Sequence, residues 1–419
     1  MKTKKLKWMW AALLCAVSTA IGGGTVMEAE ASTYQRLEGA KVLWETPQTE
    51  KGQTIYYRIP AFATANDGRL IAVSDKRYGH AGDLGNHRID ILVRTSEDNG
   101  ANWGEVQNLT SELTAGKNTG FGDAAIVADR ESDKVLMLTA SGTAGFFSSN
   151  RTNLLGVHQF ISNDGGKTFE APVSITDMIY GFDESWPGLF VGSGRIMQSR
   201  YIKVDSHYRI YCAISTRNTS DSGQHENWVI YSDDFGENWA VLGGVKTAPV
   251  EPADEPKVEE LPNGDVILAS RKDSGRYINV FSYDKGDPTY TNGSWGTRAT
   301  LPLGNTRGTD GETYILYAKE KATNEYVYLA LQSIPTTGNR QGVGIFYKEL
   351  GENDTTPAAF VTGWSNENFL MVQTQDSAYS TFTQQKDGKI GFFYEEGNPA
   401  YDMIYVPISI EQITSDKYE

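Results

Sequence analysis

The chain has 419 residues, with 38 basic against 53 acidic side chains and a formal net charge of −15. That balance excludes a nucleic-acid binder, and the length suffices for one large core or two smaller ones. Two cysteines and five scattered histidines give no expected zinc site, and no cofactor is implied.

The first segment reads as a targeting signal. Lys2, Lys4, Lys5 and Lys7 form a basic start, Trp8 to Ile21 is apolar, and Ala29-Glu30-Ala31 offers a small-residue cleavage site. The apolar run is too short for a comfortable membrane span, so a secreted protein is expected. Cleavage after Ala31 leaves 419 − 31 = 388 residues. It removes four Lys and two Glu, moving the net charge to −17, and leaves Cys212 as the single cysteine.

From Leu70 onward, short β-rich runs recur between Gly, Asn, Asp and Pro. They are Leu70 to Val73, Ile89 to Val93, Lys134 to Leu138, Arg209 to Ala213, Trp228 to Tyr231, Val266 to Ala269, Tyr326 to Leu331, Gly342 to Tyr347 and Ile390 to Tyr394. Amphipathic helices are missing from the pattern, and an all-β fold follows.

A repeat narrows the architecture. Ser96-Glu97-Asp98-Asn99-Gly100-Ala101-Asn102-Trp103 returns as Ser162 to Phe169 and as Ser232 to Trp239, at separations of 162 − 96 = 66 and 232 − 162 = 70 residues. A stretched fourth copy is expected at Ser282-Tyr283-Asp284 with Trp295. In each copy the Asp accepts backbone N–H bonds within a hairpin turn, Gly supplies a positive φ, and the aromatic packs back on the sheet. These are Asp boxes, and their period suits one four-stranded propeller blade plus a loop. Their aspartates are structural.

Chemistry is carried elsewhere. Arg58, inside Tyr56-Tyr57-Arg58-Ile59-Pro60, is a guanidinium in an apolar strand and needs an anion. Asp75-Lys76-Arg77 precedes a Gly-rich loop with Asp83, and Gly122-Asp123 opens another strand. Glu255-Pro256-Lys257-Val258-Glu259-Glu260-Leu261 leads to Arg271. Asn339-Arg340 precedes a β-run, and Tyr379-Ser380 leads through Asp387-Gly388-Lys389-Ile390-Gly391 to Tyr394-Glu395.

Together with the Asp boxes, this series resembles the bacterial exo-sialidases, whose hallmark is a (Phe/Tyr)-Arg-Ile-Pro run. The resemblance covers essentially all of Val42 to Pro407. It implies a single six-bladed β-propeller catalytic domain over residues 32–419, expected to be a monomer. It also implies cleavage of terminal sialic acid from glycoproteins, gangliosides and oligosaccharides, with retention and without a metal.

By the same resemblance Arg58, Arg271 and Arg340 form the arginine triad for the substrate carboxylate, and Arg77 assists it. Asp83 is the acid/base, Asp123 meets a ring hydroxyl, and Tyr379 is the nucleophile. Glu255 takes the tyrosine proton, and Glu395 pairs with Arg58. The competing residues are Asp90 for Asp83, Asp254, Glu259 and Glu260 for Glu255, Arg276 for Arg271, Arg307 for Arg340, and Glu396 for Glu395. Alternating strand geometry puts Glu396 on the opposite face from Glu395.

The chemistry fits the substrate. The anomeric carbon of sialic acid carries a carboxylate, which repels an anionic nucleophile, whereas a phenol is neutral until a base removes its proton. Planar guanidinium groups orient the carboxylate. A trans-sialidase on the same site and a sialoglycan-binding propeller without activity are the alternatives.

Overall fold

The computed structural model describes residues 35–217, 225–303, 308–338, 340–397 and 400–419. The leader, Arg307 and Asn339 lie outside the described residues. Among the described residues strands carry the fold, and every helix has four or five residues. None is long and apolar enough to cross a membrane.

Each β-rich run of the sequence lies within a strand except at Lys134, which stands just before Val135–Gly142. Leu70–Tyr78 and Val266–Arg271 are almost wholly buried, as apolar runs covered on both faces should be. The three Asp boxes close their hairpins identically. Ser96, Ser162 and Ser232 each donate to the box aspartate at 2.8 Å. The aspartates accept the backbone N–H of Asn102, Thr168 and Asn238 at 2.8–2.9 Å.

Gly100 has φ +82°, and a Cβ there would run into the Tyr405 ring at 2.1 Å, so glycine is required twice over. The expected fourth copy differs. Asp287, not Asp284, gathers the backbone N–H groups of Thr289, Thr291 and Asn292, because the longer loop moves the carboxylate three residues on.

Hydrogen bonding divides the strands into five sheets of four, ten, five, five and four strands, not the six expected. The cause is local. Two successive sets, one holding Gln53–Thr64, Leu70–Tyr78 and Ile89–Ser96 and the next holding Gly120–Ala128, Val135–Gly142 and Gly156–Ser162, are joined by the parallel pair Ile89↔Gly120.

Apolar clusters lie between consecutive strand sets. Ala61, Ile71 and Val73 meet Ile126 and Met137, and Leu136 and Leu138 meet Ile210 and Ile214. Tyr211 and Val229 meet Val266 and Leu268, Ile267 and Ile278 meet Ile315 and Ala330, and Leu329 and Ile345 meet Phe392 and Ile404. The series closes on itself: Phe393, Met403 and Tyr405 pack on Ile55, Phe62 and Leu70. The N-terminal strand Lys41–Trp44 completes the last sheet by pairing with Asp402–Ile408. Each fully buried large side chain in these seams contributes about 1.5–3 kcal/mol. The result is an all-β propeller in which the first and last described strand sets meet.

Candidate active site

Three inner strands lose their regular register where the sequence places its candidates. The shifts fall between Arg58 and Ala61 in Gln53–Thr64, between Gly122 and Ala125 in Gly120–Ala128, and between Ser377 and Ser380 in Ser377–Gln384. A bulge turns a side chain away from the regular alternation, here at Asp123 and Tyr379 and, directly after Arg58, at Ile59. Ile59, Asp123 and Arg340 have φ of 60°, 54° and 63°. For a β-branched residue such as Ile59 that conformation is an outlier, costing about 1–3 kcal/mol. A hydrogen bond from its N–H to Glu395 at 2.8 Å holds it.

Glu395 is fully buried and binds both sides of this seam. Arg58 donates to it at 2.7 and 3.3 Å, and the Tyr379 N–H donates at 3.1 Å. Burial opposes the charge on Arg58, but Glu395 outweighs it and the guanidinium is held firmly protonated. Its other faces meet the rings of Tyr401 at 4.6 Å and Tyr379 at 5.2 Å.

The Tyr379 hydroxyl donates to Glu255 in a short hydrogen bond and accepts one from Arg271 at 3.2 Å. Arg271 also pairs with Glu255 at 2.7 Å. Burial is the main reason the Glu255 carboxyl is pushed up to about 7; Arg271 opposes this and Asp254 adds to it. Burial and then Glu255 raise the Tyr379 phenol well above its ordinary value, against Arg271, Arg58 and Arg340. The resting pair is a neutral phenol beside a base poised near neutrality. Arg340 lies over the Tyr379 ring at 5.6 Å and makes no ion pair among the described residues. Tyr401 hydrogen-bonds it, and its charge adds to the field that holds Asp83 low.

Across the cleft, Arg77 is fully buried between Asp75 at 2.8 Å and Asp83 at 2.9 Å. The Asp83 side chain is 81% exposed yet sits among charged groups. Burial raises its pKa, but Arg77 and Arg58 win and hold it below the ordinary carboxylate value. Burial pushes Asp75 up to about 6 against the pull of Arg77. Asp123, whose N–H donates to Asp75 at 3.2 Å, is raised well above its ordinary value by burial and then by Asp75 and Asp83.

All nine sequence candidates thus converge on one cleft, although Asp123 meets its neighbours through charge and backbone. The competitors have structural partners. Asp90 binds Tyr78, Arg88 and Asn108. Arg276 is buried and donates to Ala269 O at 3.0 Å. Glu259 and Glu260 are tied to Arg195, Arg200 and Ser199, and Glu396 to Arg36.

Three residues were not singled out as site members. Tyr401 stacks on Arg58, Asp75 anchors Arg77, and His225 pairs with Asp254 at 3.4 Å beside Arg271. Asp75 was visible in the Asp75-Lys76-Arg77 run, but Tyr401 and His225 carry no local signal. Among the described residues no group of three or more His, Cys, Asp or Glu could hold a metal ion.

Residues 59–343 match the family of BNR repeat-like domains. A sialidase of Micromonospora viridifaciens is 27% identical over 367 residues, covering 81% of this chain and 50% of that protein. One of Bacteroides fragilis is 27% identical over the same length, covering 81% and 60%. The chain thus spans about half to three-fifths of these curated relatives.

Two solved structures share the fold. The Hadza microbial sialidase Hz136 has a TM-score of 0.67 at 21% identity, over 85% of this chain and 66% of that one. An intramolecular trans-sialidase from Ruminococcus gnavus has a TM-score of 0.68 at 16% identity, over 90% and 98%.

Proposed function

The chain belongs to the BNR repeat-like family as a relative of bacterial sialidases, and from that premise we propose that it is a retaining exo-α-sialidase acting on sialylated glycoconjugates. Its architecture is read as six blades, with the ten-stranded sheet counted as two. A secretory leader ending at Ala31 and one catalytic domain over residues 32–419 complete the reading.

The observation that carries it is the Tyr379 hydroxyl, hydrogen-bonded to Glu255 and Arg271 amid Arg58 and Arg340. In this reading Arg58, Arg271 and Arg340 hold the sugar carboxylate, Arg340 being without an ion pair among the described residues. The Tyr379 oxygen bonds to the anomeric carbon as its proton passes to Glu255. The bond to the leaving oxygen breaks, and Asp83 supplies that oxygen with a proton. Water then attacks the tyrosyl-linked sugar, Asp83 takes a proton from it, and Glu255 returns one to the phenol. Two displacements at one carbon retain configuration. Arg77 positions Asp83, and Asp123, with its neutral form favoured, donates to a ring hydroxyl.

Arg77 and Arg58 favour the ionised form of Asp83, the opposite of what a leaving-group acid needs. A bound sugar removes water from this exposed side chain, and desolvation raises a carboxyl pKa. Protonation of Asp83 is thereby tied to substrate arrival.

Incubation with a fluorogenic α-sialoside, followed by proton NMR of the first-formed product, tests the reading. Free sialic acid with retained anomeric configuration is expected. An inverted product ends the covalent route, and an anhydro sugar or sialylated acceptor replaces hydrolysis with transfer.

A further inference from the structure

The inner strands also carry a cavity at their other end. Along Gln53–Thr64, Gly120–Ala128 and Ser377–Gln384, the site residues Arg58, Asp123 and Tyr379 are each followed five positions later by Ala63, Ala128 and Gln384. These three later residues line one cavity of about 500 Å³. At roughly 3.3 Å per residue, the cavity lies about 16 Å from the catalytic groups, at the far end of the same strands. Its volume is that of a small-molecule site.

Its wall is aromatic and partly exposed. Tyr317 and Tyr328, both lining residues, are direct cross-strand partners. Tyr326 stacks on Tyr317 with centroids 5.1 Å apart and rings only 11° from parallel. The Tyr201 hydroxyl lies 3.3 Å from that of Tyr328. Tyr317 and Tyr326 are 54% and 62% exposed. A cross-strand aromatic pair adds about 0.2–1 kcal/mol to a sheet, but a platform left open to water at a cavity mouth is a feature of binding surfaces.

The polar groups select the ligand. Arg195 and Arg200 in the wall are already paired with Glu259, at 2.6 and 2.9 Å. Neither is free for a strong anion. Arg130 makes no ion pair among the described residues; it donates to Ser199 O and lies over the Tyr208 ring at 3.8 Å. Gln384 adds an exposed amide. Flat tyrosine faces suit the C–H face of a pyranose, while an amide and one guanidinium suit its hydroxyls.

We propose that this far end is a second carbohydrate site, taking a hexopyranose ring of a neutral oligosaccharide. It stands independently of the catalytic reading, because none of its groups takes part in that chemistry.

Saturation-transfer NMR with lactose on the full chain tests it. Lactose binding with a Kd of about 1 mM is expected in the wild-type protein. Tyr326→Ala and Arg130→Gln should each weaken it at least about tenfold, equivalent to 1.4 kcal/mol. Both side chains project from strand or loop surfaces, and an unchanged melting curve verifies folding of each variant. Absence of transfer from lactose, or transfer undiminished in both folded variants, overturns the proposal. So does a dimer that Tyr326→Ala dissociates, which would assign the platform to a second copy of the chain.

Discussion

Buried and half-buried arginines stand at both ends of the inner strands, but they are compensated differently. At the far end Arg195 and Arg200 share Glu259, which burial would raise and the two guanidiniums instead hold below its ordinary value. At the end proposed to be catalytic Arg58 has Glu395 and Arg271 has Glu255, whereas Arg340 lies over the Tyr379 ring and makes no ion pair among the described residues. An arginine in an apolar strand therefore does not mark a ligand site by itself. The distinction is whether protein carboxylates exhaust its charge.

Substitutions at the two ends should separate in kind as well as size. Tyr379→Phe has the largest expected effect: turnover falls by roughly a thousandfold or more while sialoside binding persists. Near-normal turnover in steady-state assays would break the contrast between the ends.

Glu255→Gln should lower kcat by about 10²–10⁴-fold, and its pH profile sharpens the assignment. The reactive form has Asp83 protonated and Glu255 ionised. With Asp83 held low and Glu255 at about 7, that form is most abundant between the two values. Above about 7 Glu255 is fully ionised and only proton loss from Asp83 continues, so kcat/KM falls. The limb near 7 should vanish in Glu255→Gln; a wild-type kcat/KM that climbs through pH 8 contradicts the pairing.

Arg58→Ala leaves Glu395 buried without its cation, which costs about 3–5 kcal/mol, and it should also raise KM. Denaturant unfolding and kinetics together check both effects. Arg195→Ala should cost less stability, since Glu259 keeps Arg200 and the N–H groups of Glu260 and Ile315, and should leave KM for a small sialoside unchanged. A changed KM there would erase the difference between the two ends. Smallest is Asp164→Ala, which removes the turn acceptor of one Asp box and should cost about 1–2 kcal/mol with normal kinetics.

Much of this was legible in the chain. The Asp boxes announced hairpins because their residues bond within eight positions, and the structure repeats that bonding three times. The site candidates were legible through motif resemblance and converge across 337 residues between Arg58 and Glu395.

The bulges were not legible. Nothing local in Tyr57-Arg58-Ile59-Pro60 requires φ of 60° at Ile59; the buried carboxylate of Glu395, from the other end of the chain, imposes it. The Ile89↔Gly120 bridge and the stacking of Tyr401 on Arg58 are likewise tertiary. The ionised state of Asp83 depends on Arg77 and Arg58 together, and sequence spacing carries no information about that field.

In the proposed reaction Tyr379 makes the bond to the sugar. Incubation with a 2,3-difluoro sialic acid, whose fluorines slow breakdown of a covalent intermediate, followed by peptide mass spectrometry, tests it most directly. A single sialyl adduct on the peptide containing Tyr379, absent in Tyr379→Phe, is predicted. An adduct on Glu255 or Asp83, or turnover of a sialoside with no trapped species, would contradict it.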